Sequence, residues 1–197
     1  MVGRVLFLRH AETPWNGARR WQGWADVSLT KLGRKQTHTL GVHLKDLDID
    51  ALWSSDLRRA LETAEIISAT TGVSPVQQDA DLRERDVGAW TGLTDAEIEQ
   101  RWPGALAAWR ARTLDRPPGG ETTADVATRA GRVLRRLLDE DQVVLAVTHA
   151  GVIHQVEQLL GLRPSGVPNL DGRWVHHGMA PGPPFGSGDG TRLDDRL

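Results

Sequence analysis

"VLFLRHAETPWN", residues 5–16, begins as a buried strand and stops on an arginine beside a histidine. A hydrocarbon core has no use for that pair, because burying an unpaired guanidinium is costly. The stretch therefore predicts an anion at the end of the strand. Val143–Val147 is the most strand-like run in the chain, and it ends the same way, on Thr148-His149. Open α/β sheets bind ligands beyond the carboxyl ends of their strands, so His10 and His149 are expected to face one crevice. Taken singly, each histidine also fits a satisfied structural role.

Between these runs, short apolar stretches alternate with helical periodicity, the pattern of an α/β domain with a mostly parallel sheet. Thr30 opens a helix to about Leu47, with Leu32, Leu40, Leu44 and Leu47 on one face. Ala51-Leu52-Trp53 reads as a second strand, and Asp56 as the cap of a helix over Leu57–Thr71 that stops at Gly72. Thr94-Asp95-Ala96-Glu97 has capping-box spacing for a helix ending before Pro103, and Gly104–Arg112 continues as a second short helix. After the turn Pro117–Gly120, Thr122–Asp125 caps a helix with Val126, Ala130, Val133, Leu134, Leu137 and Leu138 on one stripe. A last helix, Val152–Leu160, follows His149 and stops at Gly161. Residues 1–177 are expected to form one domain. The Gly/Pro-rich stretch 178–197 is expected to be a flexible tail.

Composition narrows the function. The chain has 197 residues and no cysteine, which excludes disulfides, thiolate metal sites and a cysteine nucleophile. Lys+Arg number 24 against 26 Asp+Glu, so no positive field calls for nucleic acid. Neither a secretory leader nor a membrane-length apolar run is evident, and a cytoplasmic protein with no membrane partner is expected. Histidine, arginine and carboxylates are left to carry any chemistry.

Two further stretches supply them. "SSDLRRALETA", residues 54–64, puts Arg58 and Arg59 in the first turn of a helix, where cations are unfavourable unless an anion compensates. Arg58 suits a solvated face, and Arg59 lies on a different one. "LRERDVGAWTGLT", residues 82–94, carries Glu84, which among Leu82, Val87 and Trp90 would hold a proton more readily than an exposed carboxylate. Read alone, Glu84 fits a surface neighbourhood with Arg83 or Arg85 equally well.

These residues resemble the histidine phosphatase superfamily, in the branch of cofactor-dependent phosphoglycerate mutases and their bacterial phosphatase relatives. The ordered motifs are Arg9–Thr13 with Asn16, "RWQGWADVSLTKLGRKQ" (20–36), "SSDLRRALETA", "LRERDVGAWTGLT", "PPGGET" (117–122) and "VTHAGVI" (147–153). Ala11 and Ala150 stand where the family usually has glycine, and Thr91 where it often has glutamate. The resemblance implies a three-layer α/β/α sandwich with a mostly parallel central sheet. It also implies that His10 is a nucleophile that takes a phosphoryl group, with Arg9, Arg59 and His149 clamping the phosphoryl oxygens. Asn16 is implied as a further donor, Gln22 and Gly23 as the lining of the entrance, and Ala150 as part of the phosphate-binding turn. Glu84 resembles the family's general acid, which then serves as base for water.

Only residues 85–118 separate Glu84 from Gly119, where mutases of the family carry a longer insertion that caps the site; this favours a hydrolase over a mutase. The substrate implied is a small phosphomonoester, a sugar phosphate or phosphoglycerate type, handled with no cofactor and no metal. Motifs around Glu84 and Gly119-Gly120-Glu121 are similar to those of actinobacterial phosphatases acting on glucosylated phosphoglycerate. Arg110 and Arg112 read as solvated helix residues or as a carboxylate site. Trp15, Trp21, Trp24, Trp90, Trp102 and Trp109 read as a rim of the cleft or as core. The rivals are a zinc site made of His10, His149 and Glu84, a phosphate-binding relative with weak turnover, and a phosphoglycerate mutase. The family includes monomers and dimers, so a homodimer stays open.

Overall fold

Successive side chains along β1 (Arg4–Arg9) leave opposite faces of the sheet. Val5 and Phe7 enter one core, Leu6 and Leu8 the other. A strand with apolar groups on both faces has to lie between two helical layers, and that requirement fixes the architecture. The computed structural model describes residues 3–138, 141–164, 166–176 and 184–185. Besides β1, the sheet contains β2 (Ala51–Ser54), β3 (Val76–Gln78), β4 (Val143–Thr148), β5 (Gly172–His176) and the short β6 (Pro184–Phe185), in the order β3-β2-β4-β1-β5-β6. β1 to β4 run parallel, and β5 and β6 are antiparallel additions at one edge. Apart from the backbone of β6, the tail expected over 178–197 lies outside the described residues.

Among the described residues, seven α-helices connect the strands: α1 (Pro14–Gly17), α2 (Lys31–Leu44), α3 (Arg58–Thr71), α4 (Asp95–Arg101), α5 (Ala105–Arg110), α6 (Thr123–Leu138) and α7 (Ala150–Leu159). α2 and α3 cover the Leu6/Leu8 face with Leu40, Leu44, Ala60, Ala64 and Ile67. α6 and α7 cover the other with Ala130, Val133, Leu137, Val152 and Val156. The result is the three-layer α/β/α sandwich expected. Thr30 caps α2 by accepting Gly33 N–H, Thr94 and Glu97 form a reciprocal capping box on α4, and Gly72 ends α3 at φ 85°, a geometry suited to glycine.

Two local expectations change. Leu32 points to solvent, because the buried face of α2 runs through Gly33, Thr37, Leu40, Gly41 and Leu44. Asp56 does not cap α3, which begins at Arg58 with Leu57 at the N-cap and no side-chain cap; the Asp56 carboxylate is taken by the fork of Arg83. A third apolar cluster of Val87, Trp90, Leu93, Ile98 and Leu106 forms under α4 and α5. Trp21, Trp90 and Trp109 meet edge-to-face there, with centroids 5.3–6.2 Å apart.

Candidate active site

Strand register brings the two histidines together. Arg9 pairs with Thr148 in the parallel β1–β4 ladder, and His10 N–H donates to Thr148 O at 2.9 Å. The next residues on each strand are therefore side by side, and the imidazole centroids lie 5.1 Å apart. Both rings are buried, His10 at 3% exposure and His149 at 0%. His10 Nδ1 lies 2.7 Å from Ala11 O, an acceptor, so Nδ1 carries the hydrogen and Nε2 the lone pair. Arg59 Nε–H donates to that lone pair at 3.2 Å. Burial, followed by the charges of Arg59 and Arg9, pushes the His10 pKa well below its ordinary value. Burial does the same for His149, helped by Arg59 and His10. Both are therefore neutral at pH 7, and His10 keeps an unprotonated Nε2.

The guanidinium groups are held by carbonyls rather than carboxylates. Arg59, only 1% exposed, donates to Ala25 O and Gly23 O, and Arg9 donates to Val167 O. Burial lowers the Arg59 pKa to about 10, with Glu84 opposing the shift, so the group remains cationic. Burial lowers Arg9 as well. Arg9 Nε and Gln22 Oε1 are buried with no partner among the described residues. An oxyanion in the cleft would satisfy the Arg9 Nε–H, whereas the Gln22 oxygen is an acceptor and calls for a hydroxyl or N–H. Asn16 spends its carboxamide oxygen on the Thr13 cap of α1, which leaves its NH2 as the donor on a residue lining the cleft. By contrast Arg58 is exposed and pairs with Glu62.

Glu84 reaches the same cleft, but not through the apolar packing expected. Leu82 and Trp90 belong to separate cores, and the carboxylate instead accepts Arg85 N–H at 2.8 Å and Gly151 N–H at 3.3 Å. A Cβ on Gly151, in the first turn of α7, would collide with Glu84 Oε1 and push the carboxylate aside. The Glu84 carbonyl accepts Trp24 Nε1–H and Arg129. Buried on α6, Arg129 also binds the carbonyls of Asp81 and Arg83 and both oxygens of Glu121. Sequence reasoning did not single out Arg129 or Gly151. The available signal was a cation at position 129 within the apolar stripe of α6.

Neither Ala11 nor Ala150 adopts positive φ, so the two replacements of glycine are unstrained. Ala11 N–H donates to Thr63 Oγ1 and its methyl joins a core. Arg110 pairs with Asp95 at an exposed position. His10, Asn16, Gln22, Gly23, Arg9, Arg59 and Glu84 line one cleft of about 370 Å³. Along Arg85, Trp109 and Gly151 it meets a larger cavity of about 830 Å³ between α5 and α7. Among the described residues, no group of three His, Asp or Glu side chains is placed to hold a metal ion, the zinc arrangement included. Nor is any described helix long and apolar enough to cross a membrane.

A neutral imidazole, two buried guanidinium groups and a carboxylate at the carboxyl edge of a mostly parallel sheet define an α/β enzyme built to handle a phosphoryl group. The chain belongs to the histidine phosphatase superfamily (branch 1), whose family model matches residues 5–174. It is 36% identical over 200 residues to a glucosyl-3-phosphoglycerate phosphatase of Mycolicibacterium vanbaalenii, across 93% of this chain and 88% of that one. It is also 40% identical over 157 residues to phosphoglycerate mutase-like protein 4 of Arabidopsis thaliana, across 77% and 68% of the two chains. Of solved structures, the mycobacterial glucosyl-3-phosphoglycerate phosphatase complex with VO3 matches with a TM-score of 0.79 and 34% identity, covering 87% of this chain and 90% of that one.

Proposed function

We propose that the protein is a metal-independent phosphomonoester hydrolase that works through a phosphohistidine on His10 and acts on a small phosphorylated metabolite of the sugar phosphate or phosphoglycerate type. The observation that carries the reading is His10 itself, whose Nε2 lone pair accepts Arg59 Nε–H in a cleft that Arg9 also lines, with the His149 ring 5.1 Å away, while its Nδ1 is anchored to Ala11 O. A phosphoryl oxygen is a stronger acceptor than an imidazole, so substrate binding turns the Arg59 N–H to the substrate and frees Nε2. Nε2 attacks phosphorus as the bond to the leaving oxygen breaks, and Glu84 gives that oxygen a proton. The resulting carboxylate then takes a proton from water, the hydroxide oxygen attacks phosphorus, and the P–N bond returns its electrons to His10. Arg9 and Arg59 carry the charge compensation that a metal supplies in other phosphatases.

Similarity to named glucosyl-3-phosphoglycerate phosphatases supports hydrolysis, and so does the size of the cavity that joins the cleft. Water reaches a phosphohistidine in such a site, whereas a mutase has to protect it. Similarity to a mutase-like protein keeps the isomerase reading testable. The reading needs only a small-molecule partner in the cytoplasm, and it draws every site residue from one chain. The test is a panel of phosphomonoesters with excess chelator, including 3-phosphoglycerate. Free phosphate, lost in His10→Ala, is expected. The 2-isomer in place of phosphate would make the protein a mutase, and activity that vanished with chelator and returned with zinc would refute the metal-independent mechanism.

A further inference from the structure

Ser55 follows β2, is fully buried, and has no part in the mechanism above. Its N–H donates to Val147 O at 2.9 Å, which ties it to the end of β4 and sets its hydroxyl 3.0 Å from His149 Nε2. The same oxygen accepts Leu57 N–H at 3.2 Å. A hydroxyl has one hydrogen and two lone pairs, and a neutral imidazole has one N–H and one lone pair. Suppose the hydrogen of His149 were on Nε2. It would donate to Ser55, whose own O–H would then find no acceptor among the described residues, and Nδ1 would turn a lone pair toward any phosphoryl group. With the hydrogen on Nδ1, Ser55 O–H donates to Nε2 and its oxygen accepts from Leu57. One group is then left unmet: the Nδ1–H, a buried atom beside His10 with no partner among the described residues.

We infer that Ser55 is a positioning residue that fixes His149 as its Nδ1–H tautomer, so that a neutral imidazole offers a hydrogen-bond donor to the phosphoryl group transferred to His10. The inference rests on the phosphoryl reading of the site. Every charged or titratable group acting on His149 favours its neutral form: Arg9 and His10 at the end of β1, Arg59 on α3 and Arg129 on α6. A neutral ring donates from one nitrogen only, so the choice of tautomer decides whether it attracts or repels an oxyanion.

The test is nitrogen-15 NMR of the imidazoles at pH 7.5, with the His149 signals assigned by their loss in His149→Gln, together with titration by inorganic phosphate. The wild type is expected to show His149 with a protonated Nδ1 and a pyridine-like Nε2. Ser55→Ala is expected to shift that population toward Nε2–H and to weaken phosphate binding about tenfold to a hundredfold, the range for a lost hydrogen bond to a charged group. Ser55→Thr, which keeps the hydroxyl, is expected to restore both. A protonated Nε2 in the wild type, or unchanged phosphate affinity in a folded Ser55→Ala, would overturn the inference while leaving hydrolysis intact. A wild type that neither binds phosphate nor hydrolyses phosphomonoesters would instead overturn the phosphoryl reading.

Discussion

Arg129 holds the loop that carries Glu84, and removing it should be felt in both stability and chemistry. Its guanidinium makes two bonds of 2.9 Å to Glu121 and others to the carbonyls of Asp81, Arg83 and Glu84. Arg129→Met keeps most of the stem but strands the Glu121 carboxylate, whose side chain is 17% exposed. Breaking one side of a buried ion pair costs about 3–5 kcal/mol. Glu121 keeps the Asp86 N–H as a donor, which puts the loss at the lower end, about 3 kcal/mol. For a chain of this size that is a fall in Tm of about 6–12 °C. Removing both partners in Arg129→Met/Glu121→Met should cost less than the sum of the single changes, by more than about 1 kcal/mol. Denaturant unfolding of the four proteins gives the cycle, and hydrolysis of aryl and alkyl phosphates gives the chemistry. With Glu84 displaced, alkyl phosphates, whose leaving oxygen needs a proton, should lose about tenfold or more in kcat, and activated aryl phosphates little. A Tm within 2 °C of wild type, or equal losses for both substrate types, would refute the clamp.

Gly151→Ala puts a methyl group where Glu84 Oε1 lies, so it should reproduce the selective loss on alkyl phosphates with little change in Tm; equal rates on both substrates would show that the carboxylate is not constrained there. Stability should also report the buried imidazoles. Both have pKa values held well below normal in the fold, while the unfolded chain protonates them near 6.5. The unfolded state therefore binds more protons below that pH, and the contribution is fully present above 6.5 and declines as pH falls beneath it. The slope reaches up to about 2.7 kcal/mol per pH unit for the pair. Urea unfolding between pH 7.5 and 5.5 should show this decline, and His149→Gln should flatten it; identical slopes for the two proteins would contradict the burial argument.

The central strands and their histidines were legible because the same physics produces both signals. A two-sided apolar run announces a strand between helical layers, and a charged pair closing that run announces the ligand edge. Parallel register then makes neighbours of His10 and His149 with no information beyond the two runs. β3 and β5 escaped notice for opposite reasons. Val76-Gln77-Gln78 is a short edge with two exposed polar residues, and Gly172–His176 contains a buried arginine that pairs with Glu157 on α7. Asp56 reads as a cap because acceptors at helix starts usually are, yet Arg83, distant in sequence, provides a better partner. The loop marks Glu84 but not the surroundings of its carboxylate. Leu82 and Val87 belong to separate cores, and the carboxylate's hydrogen-bond partners are backbone N–H groups, which leave no mark in a sequence.

The account's main claim is that the phosphoryl group passes through a covalent bond to one imidazole nitrogen. Mixing enzyme with a rapidly hydrolysed phosphomonoester, quenching in alkali and mapping the phosphorylated peptide by mass spectrometry tests it most directly. An acid-labile, alkali-stable label on the peptide containing His10, absent from His10→Ala and accumulating in Glu84→Gln, is the predicted outcome. Steady hydrolysis with that peptide unmodified, or with the label on another residue, would contradict it.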